Sequence, residues 1–173
     1  MVTVFKKNWL WLSAIAVIIG GLFISSSMTY HQQSLIPQLK YYLAAHPAEA
    51  QLQQIDFHYG GQEQSLKTVG YFKLVEFFIR KTAHFMVFGL LGMFSFLFLK
   101  NELRHWPLAP WIAWFVVTGW AGFDEFHEML TGGRTALVAD VMLDSAGAFC
   151  FIVITVLIWR LWVSYHQKHQ RKY

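Results

Sequence analysis

The sequence predicts an all-α integral membrane protein, a four-helix bundle. Three observations point there: a shortage of charge, four apolar runs of near-spanning length, and Lys and Arg gathered in both tails and one short connection. Of the 173 residues 55% are hydrophobic and only 14% charged, against about 25% charged in a soluble domain. The mean hydropathy is +0.37.

The runs are Trp9–Ile24, Ala83–Leu99, Leu108–Phe123 and Val138–Ile158. Each approaches the roughly 20 residues needed to cross a ~30 Å hydrocarbon core. With flanking residues the spans fall at about 9–26, 80–99, 108–126 and 138–160, within a single domain covering 1–173. Lys6 and Lys7 before the first run would also suit a cleavable signal peptide. Ile24 and Met28 around Ser25–Ser27 make a poor cleavage context, so this run is read as a retained span. Cys150, the single cysteine, lies inside the fourth run and reads as a small hydrophobe.

Orientation follows from the basic residues. Placing both termini inside puts Lys6, Lys7, Lys100, Arg104, Arg160, Lys168, Arg171 and Lys172 on the cytoplasmic face. The outer basic residues are Lys40, Lys67, Lys73, Arg80, Lys81 and Arg134, mostly spread along one long segment. The net charge of +4 reflects this arrangement and calls for membrane lipids as partners, not nucleic acid. The expected location is a membrane crossed several times, with both termini cytoplasmic.

The outer segment, about 30–78, is expected to be amphipathic and helical, because Leu35, Leu39, Tyr42 and Leu43 recur at helical spacing. Pro37 suits a first helical turn, Pro47 a break, and "HYGG" a turn. From Ser65 a helical pattern leads straight into the second span, which predicts one helix over 66–99. Glu76 and Arg80 stand in the favourable i,i+4 order for a pair.

Three motifs place ionisable residues at the outer ends of three spans. In "RKTAHFMVFGLLG" Lys81 and His84 share a helix face that continues to Phe88. In "FDEFHEML" Asp124 faces with His127 and Glu128, and Glu125 lies one turn from Glu128. In "ADVMLDSAG" Asp140, Asp144 and Gly147 form an i, i+4, i+7 stripe. "TGGR" joins the last two, its glycines letting the chain turn and bring Arg134 over the cluster.

A charge at mid-membrane costs roughly 2.5–3.5 kcal/mol on insertion scales, so such groups seek partners in the bundle interior. One reading is an ion-pair network that fixes helix packing, with Gly147 and Ala148 allowing close approach. The other is a binding pocket made of Arg80, Lys81, His84, Asp124, Glu125, Glu128, Arg134, Asp140 and Asp144. A divalent metal suits such ligands, but "DEFHE" lacks the second His of a zinc-protease helix, and Lys81 and Arg134 can balance the carboxylates. No metal or other cofactor is expected. Ser26, Ser27 and Ser145 suggest no Ser-His-Asp order, which leaves His84 as the one candidate acid/base.

"KTAHFMVFGLLG", "DEFHEMLTGGR" and "DVMLDSAG" together resemble the VanZ-like membrane proteins, as does the Ser-Ser pair of "FISSSMTYHQQSLIPQL". The likeness is greatest to the Firmicute branch, which commonly has Asp at position 144. The pattern falls on Lys81, His84, Asp124, Glu125, Arg134, Asp140, Asp144 and Gly147. Glu128 stands where the family often has Gln, Phe88 where it often has Tyr, and Gly132 where Pro is frequent. The resemblance implies a cell-envelope protein and, through the founding member, an association with teicoplanin resistance. Function is therefore expected to be binding of a lipid headgroup, cell-wall precursor or glycopeptide antibiotic in an outward-facing pocket. The alternatives are a membrane enzyme acting on a phosphate-bearing lipid, with His84 as acid/base, or a small transporter that would need to oligomerise.

Overall fold

The computed structural model describes residues 2–132 and 136–170. In chain order come α1 (Val2–Ser26), the short helices α2 (Tyr30–Gln33), α3 (Ile36–Tyr42) and α4 (Glu49–Leu52), and a hairpin of β1 (Asp56–Tyr59) and β2 (Gln62–Ser65). The single turn α5 (Leu66–Val69) precedes the long helices α6 (Tyr71–Glu102), α7 (Ala109–Gly132) and α8 (Val138–Gln170). Helices α1, α6 and α8 are long and apolar enough to cross a membrane. Helix α7 has 24 residues, about 36 Å at ~1.5 Å each, but three Trp and the carboxylates at its end dilute its hydropathy.

Contacts between the helices give their directions. Trp11 stacks on Phe94, so the start of α1 meets the end of α6. Ser26 meets His127, so the ends of α1 and α7 coincide. Lys81 meets Asp140 at one end of the α6–α8 pair and Lys100 lies over Trp159 at the other. Helices α6 and α8 are therefore adjacent and parallel, with α1 and α7 running the opposite way.

Small residues set the α6–α8 distance. A methyl group on Gly147 would collide with the Phe85 carbonyl oxygen, and one on Gly92 would lie 2.9 Å from the carbonyl oxygen of Ala148. Backbones can approach this closely only where side chains are absent. On α7, Ala109, Ala113, Val117 and Ala121 repeat every four residues and are almost wholly buried. Phe88, Leu91, Phe96 and Ile152 complete the core against them. Large apolar side chains such as Val17, Phe115 and Leu161 face outward, where lipid tails are as apolar a solvent as Leu itself.

The segment between α1 and α6 differs from the helical expectation. Residues 56–65 form an antiparallel hairpin with Tyr59 opposite Gln62. Its turn is Gly60–Gly61, with φ of 58° and 81°, and positive φ at both central residues is the tight-hairpin requirement that Gly-Gly meets at least cost. The helix expected over 66–99 is interrupted at Gly70, whose φ of 81° and ψ of 163° take it out of the helical region, in a conformation open chiefly to glycine. Pro37 does occupy the first turn of α3. Leu39 is the buried residue of that helix, while Tyr42 is 78% exposed and lies off its packed face. The Glu76–Arg80 pair does not form. Glu76 turns to the chain after α1 and accepts from Tyr30 Oη at 2.8 Å, Ser34 Oγ at 3.0 Å and the Leu35 amide at 2.5 Å. Those three donors fix the segment after α1 to α6, and Arg80 donates instead to Gln33 Oε1 at 3.3 Å.

Candidate functional site

Parallel packing of α6 and α8 brings Lys81 and His84, one turn apart, alongside Asp140 and Asp144, also one turn apart. The result is a pair of ionic contacts stacked at two depths. At the upper level Lys81 Nζ donates to Asp140 Oδ1 at 2.5 Å. Tyr59 Oη donates to the same oxygen at 2.6 Å and to the Ala139 carbonyl at 3.1 Å. The Lys81 ammonium also lies 5.0 Å from the centre of the Tyr59 ring and 5.7 Å from that of Phe77, so two aromatic faces help hold the cation. Burial raises the Tyr59 phenol above its ordinary value, and its bond to Asp140 raises it further. A carboxylate accepting that proton opposes formation of a second anion beside it.

The lower level holds His84, whose Nδ1 lies 3.4 Å from Asp144 Oδ2. Its ring stacks on Phe88, with centroids 6.2 Å apart. Glu128 and Asp124 also act electrostatically on His84. Among the described residues Asp144 Oδ1 is buried and has no hydrogen-bond partner.

Helix α7 supplies the third wall. Glu125 Oε1 accepts from the Leu137 amide at 2.8 Å, which ties the end of α7 to the approach of α8. The hairpin closes over this joint. A methyl group on Gly60 would lie 2.9 Å from Leu137 Cδ1 and push that side chain aside, at a backbone φ of 58° that already favours glycine. Phe57 and Tyr59 pack on Phe77 at centroid distances of 5.8 and 5.2 Å.

These elements enclose an open cavity of about 450 Å³. Arg80, Lys81, His84, Glu125, Glu128 and Asp140 line it, together with Tyr30, Tyr59, Gln62, Gln64 and Glu76. Six of the nine residues expected at the site thus share one cavity wall. Asp124 and Asp144 do not reach that surface; each is only 4% exposed and sits behind it. The reason for Asp124 lies in its helix, where the buried stripe of Ala113, Val117 and Ala121 continues into Asp124. Arg134 lies outside the described residues. No three of the described His, Cys, Asp and Glu side chains converge closely enough to hold a metal ion.

The family model for VanZ/LLP1 matches residues 10–160. The chain belongs to the VanZ/LLP1 family. That match takes in α6 and α7, most of α1 and α8, the hairpin and all of the cavity wall. The VanZ/LLP1 chain is a multi-pass membrane protein, and its pocket is built by one end of each of α6, α7 and α8 plus the segment that follows α1. No curated protein and no solved structure matches it.

Two contributors to this VanZ/LLP1 pocket were not apparent from sequence motifs. Tyr59 reaches Asp140 across 81 positions, and Glu76 lines the cavity while holding α2 and the start of α3. For Tyr59 the one local signal is "DFHYGG", where Phe57 and Tyr59 alternate before the Gly-Gly turn of a hairpin. Ser26 and Ser145 have structural partners: Ser26 Oγ lies 2.9 Å from His127 Nδ1, and Ser145 Oγ lies 3.0 Å from Trp114 Nε1 and 2.8 Å from Thr118 Oγ1.

Proposed function

We propose that this protein binds the phosphate-bearing head of a lipid or lipid-linked cell-wall precursor in its polar cavity. The cavity would face outward from a bacterial cytoplasmic membrane, with both termini inside and α7 as the fourth span. One observation carries the reading: Arg80, Lys81 and His84 meet at an open cavity inside a membrane-spanning bundle. An ammonium has three donors, and among the described side chains Asp140 accepts one from Lys81, leaving others to reach a ligand. Arg80 can present a fork suited to phosphate or carboxylate. Glu125, Glu128 and Asp140 would orient these cations and accept ligand hydroxyl or amine protons. A cavity of about 450 Å³ suits a headgroup better than a whole glycopeptide antibiotic. Any contribution to teicoplanin resistance would then act through the lipid-linked precursor.

The test compares dioleoyl phosphatidic acid with dioleoylglycerol, which has the same tails and no phosphate. Retention on the purified protein is read by native mass spectrometry. Phosphatidic acid should be retained and the diglyceride lost. Lys81→Gln should lower retention about tenfold, the weight of one charge-assisted hydrogen bond. Phe94→Ala, a packing control beside Trp11, should lower yield without changing the ratio of the two lipids. Equal retention of both lipids, or an unaffected Lys81→Gln variant, counts against the reading.

A membrane enzyme is the second reading, favoured by the His84–Asp144 contact at 3.4 Å. A carboxylate on Nδ1 leaves Nε2 to exchange a proton with a bound ligand. Release of phosphate or headgroup over time, lost in His84→Gln while retention survives, separates enzyme from binding protein.

A further inference from the structure

A second cavity lies toward the opposite end of the bundle, between the start of α7 and the middle of α8. It measures about 270 Å³, with Trp106, Trp111, Trp114, Val153 and Leu157 on its walls and Arg160 at its rim. Apart from Arg160 the lining is apolar or aromatic. From this charged rim on an apolar groove we infer that it is a second lipid site: it takes one acyl chain of an anionic phospholipid, whose phosphate rests on Arg160.

Three features carry the assignment. Arg160 is the first charged residue of α8 after Asp144, and sixteen residues at ~1.5 Å each separate them by about 24 Å along the helix. That approaches the ~30 Å thickness of the hydrocarbon core, so Arg160 stands near the headgroup layer opposite the polar pocket. Its guanidinium lies 5.2 Å from the centre of the Trp106 ring, a contact that orients the cation at the mouth of the groove. Among the described residues no carboxylate pairs with Arg160. An apolar slot with an acid-free cation at its open end complements a molecule with an apolar tail and an anionic head. The Trp-rich lining belongs at this depth, since amphipathic rings collect at membrane interfaces.

The experiment equilibrates purified protein with micelles containing equal amounts of dioleoyl phosphatidylglycerol and dioleoyl phosphatidylcholine. Bound lipid is then counted by native mass spectrometry. The wild type should retain phosphatidylglycerol in preference. Arg160→Gln should reduce the ratio of the two bound lipids about tenfold, and Arg160→Lys should restore part of it. Trp111→Ala, at an exposed position that leaves the Trp114–Ser145 bonds intact, should lower retention of both lipids together. Arg160 is itself exposed, so these variants leave the core in place. Lys81→Gln, run alongside, acts on the polar pocket at the other end. An unchanged ratio in Arg160→Gln overturns the inference, whatever Lys81→Gln does. So does a falling ratio with Trp111→Ala indistinguishable from wild type, since the lipid would then be held by surface charge and not by the groove. Loss of preference in Lys81→Gln alone supports the polar pocket and refutes this second site.

Discussion

Gly147→Ala tests whether the α6–α8 seam positions the polar pocket. The added methyl would meet the Phe85 carbonyl oxygen, a backbone atom that cannot swing aside as a side chain can. At Gly92, in the same seam, a methyl would stand 2.9 Å from the Ala148 oxygen, where ordinary contact begins near 3.4 Å. The helices would have to part by about half an ångström there, and by more at Gly147. Overpacking of this kind costs roughly 1–3 kcal/mol. The His84–Asp144 contact is already 3.4 Å long, and one turn from the forced separation it would pass beyond hydrogen-bond reach. Gly122→Ala is the control, because a methyl there meets nothing within 4 Å and alanine favours a helix by roughly 0.5–1 kcal/mol. Unfolding in mixed detergent–SDS micelles should show Gly147→Ala destabilised and Gly122→Ala equal to or above wild type. Equal midpoints for Gly147→Ala and wild type, with phosphatidic acid retention unchanged, would refute the claim that the seam sets the pocket geometry.

Other perturbations address single features. In a background where Cys150 is replaced by serine, a cysteine at Gln51 should be labelled from outside intact cells and one at Lys168 should not; the reverse pattern inverts the proposed orientation. Glu76→Ala removes the acceptor for three donors, and each left unsatisfied costs about 1–3 kcal/mol. The chain over residues 28–40 should then be cut by protease faster than in wild type, and an unchanged rate would show that Glu76 does not hold it. Tyr59 has a raised folded-state value against an unfolded one of 10.0. Its contribution to stability is therefore complete below about pH 10 and declines as the pH rises further. Tyr59→Phe should flatten that alkaline decline relative to wild type, and parallel curves would deny the phenol its bond to Asp140.

What the sequence made legible was local spacing. Lys81 with His84 and Asp140 with Asp144 are each one turn apart, so two facing helices could pair them without further information. Helix ends were less visible, because periodicity continues on both sides of Gly70 and a single glycine conveys no φ. The hairpin was obscured for another reason. Its first strand places Phe57 and Tyr59 on alternate positions, but "QEQS" is polar throughout, so only half of the period-2 signal exists. Distances of 81 residues, as from Tyr59 to Asp140, leave no trace in spacing at all. Spacing puts Asp124 on one face with Glu128, and its position behind the cavity wall follows from the buried alanine stripe of α7, which emerges only once that helix is packed.

The parallel pairing of α6 with α8 also sets an order of events during synthesis. Lys81 and its partner Asp140 are separated by 59 positions, and a ribosome adds about 5–20 residues each second. For roughly 3–12 s, then, Lys81 has been made while its counter-charge has not. An isolated Lys near a helix end can keep its ammonium in the interfacial water during that interval, whereas His84, one turn deeper, has less access to it. Both ionic contacts of the seam therefore form only once α8 arrives. Chains that stop short of Asp140 would present an uncompensated Lys and His to quality-control proteases, and the ionic seam would mark which copies were finished.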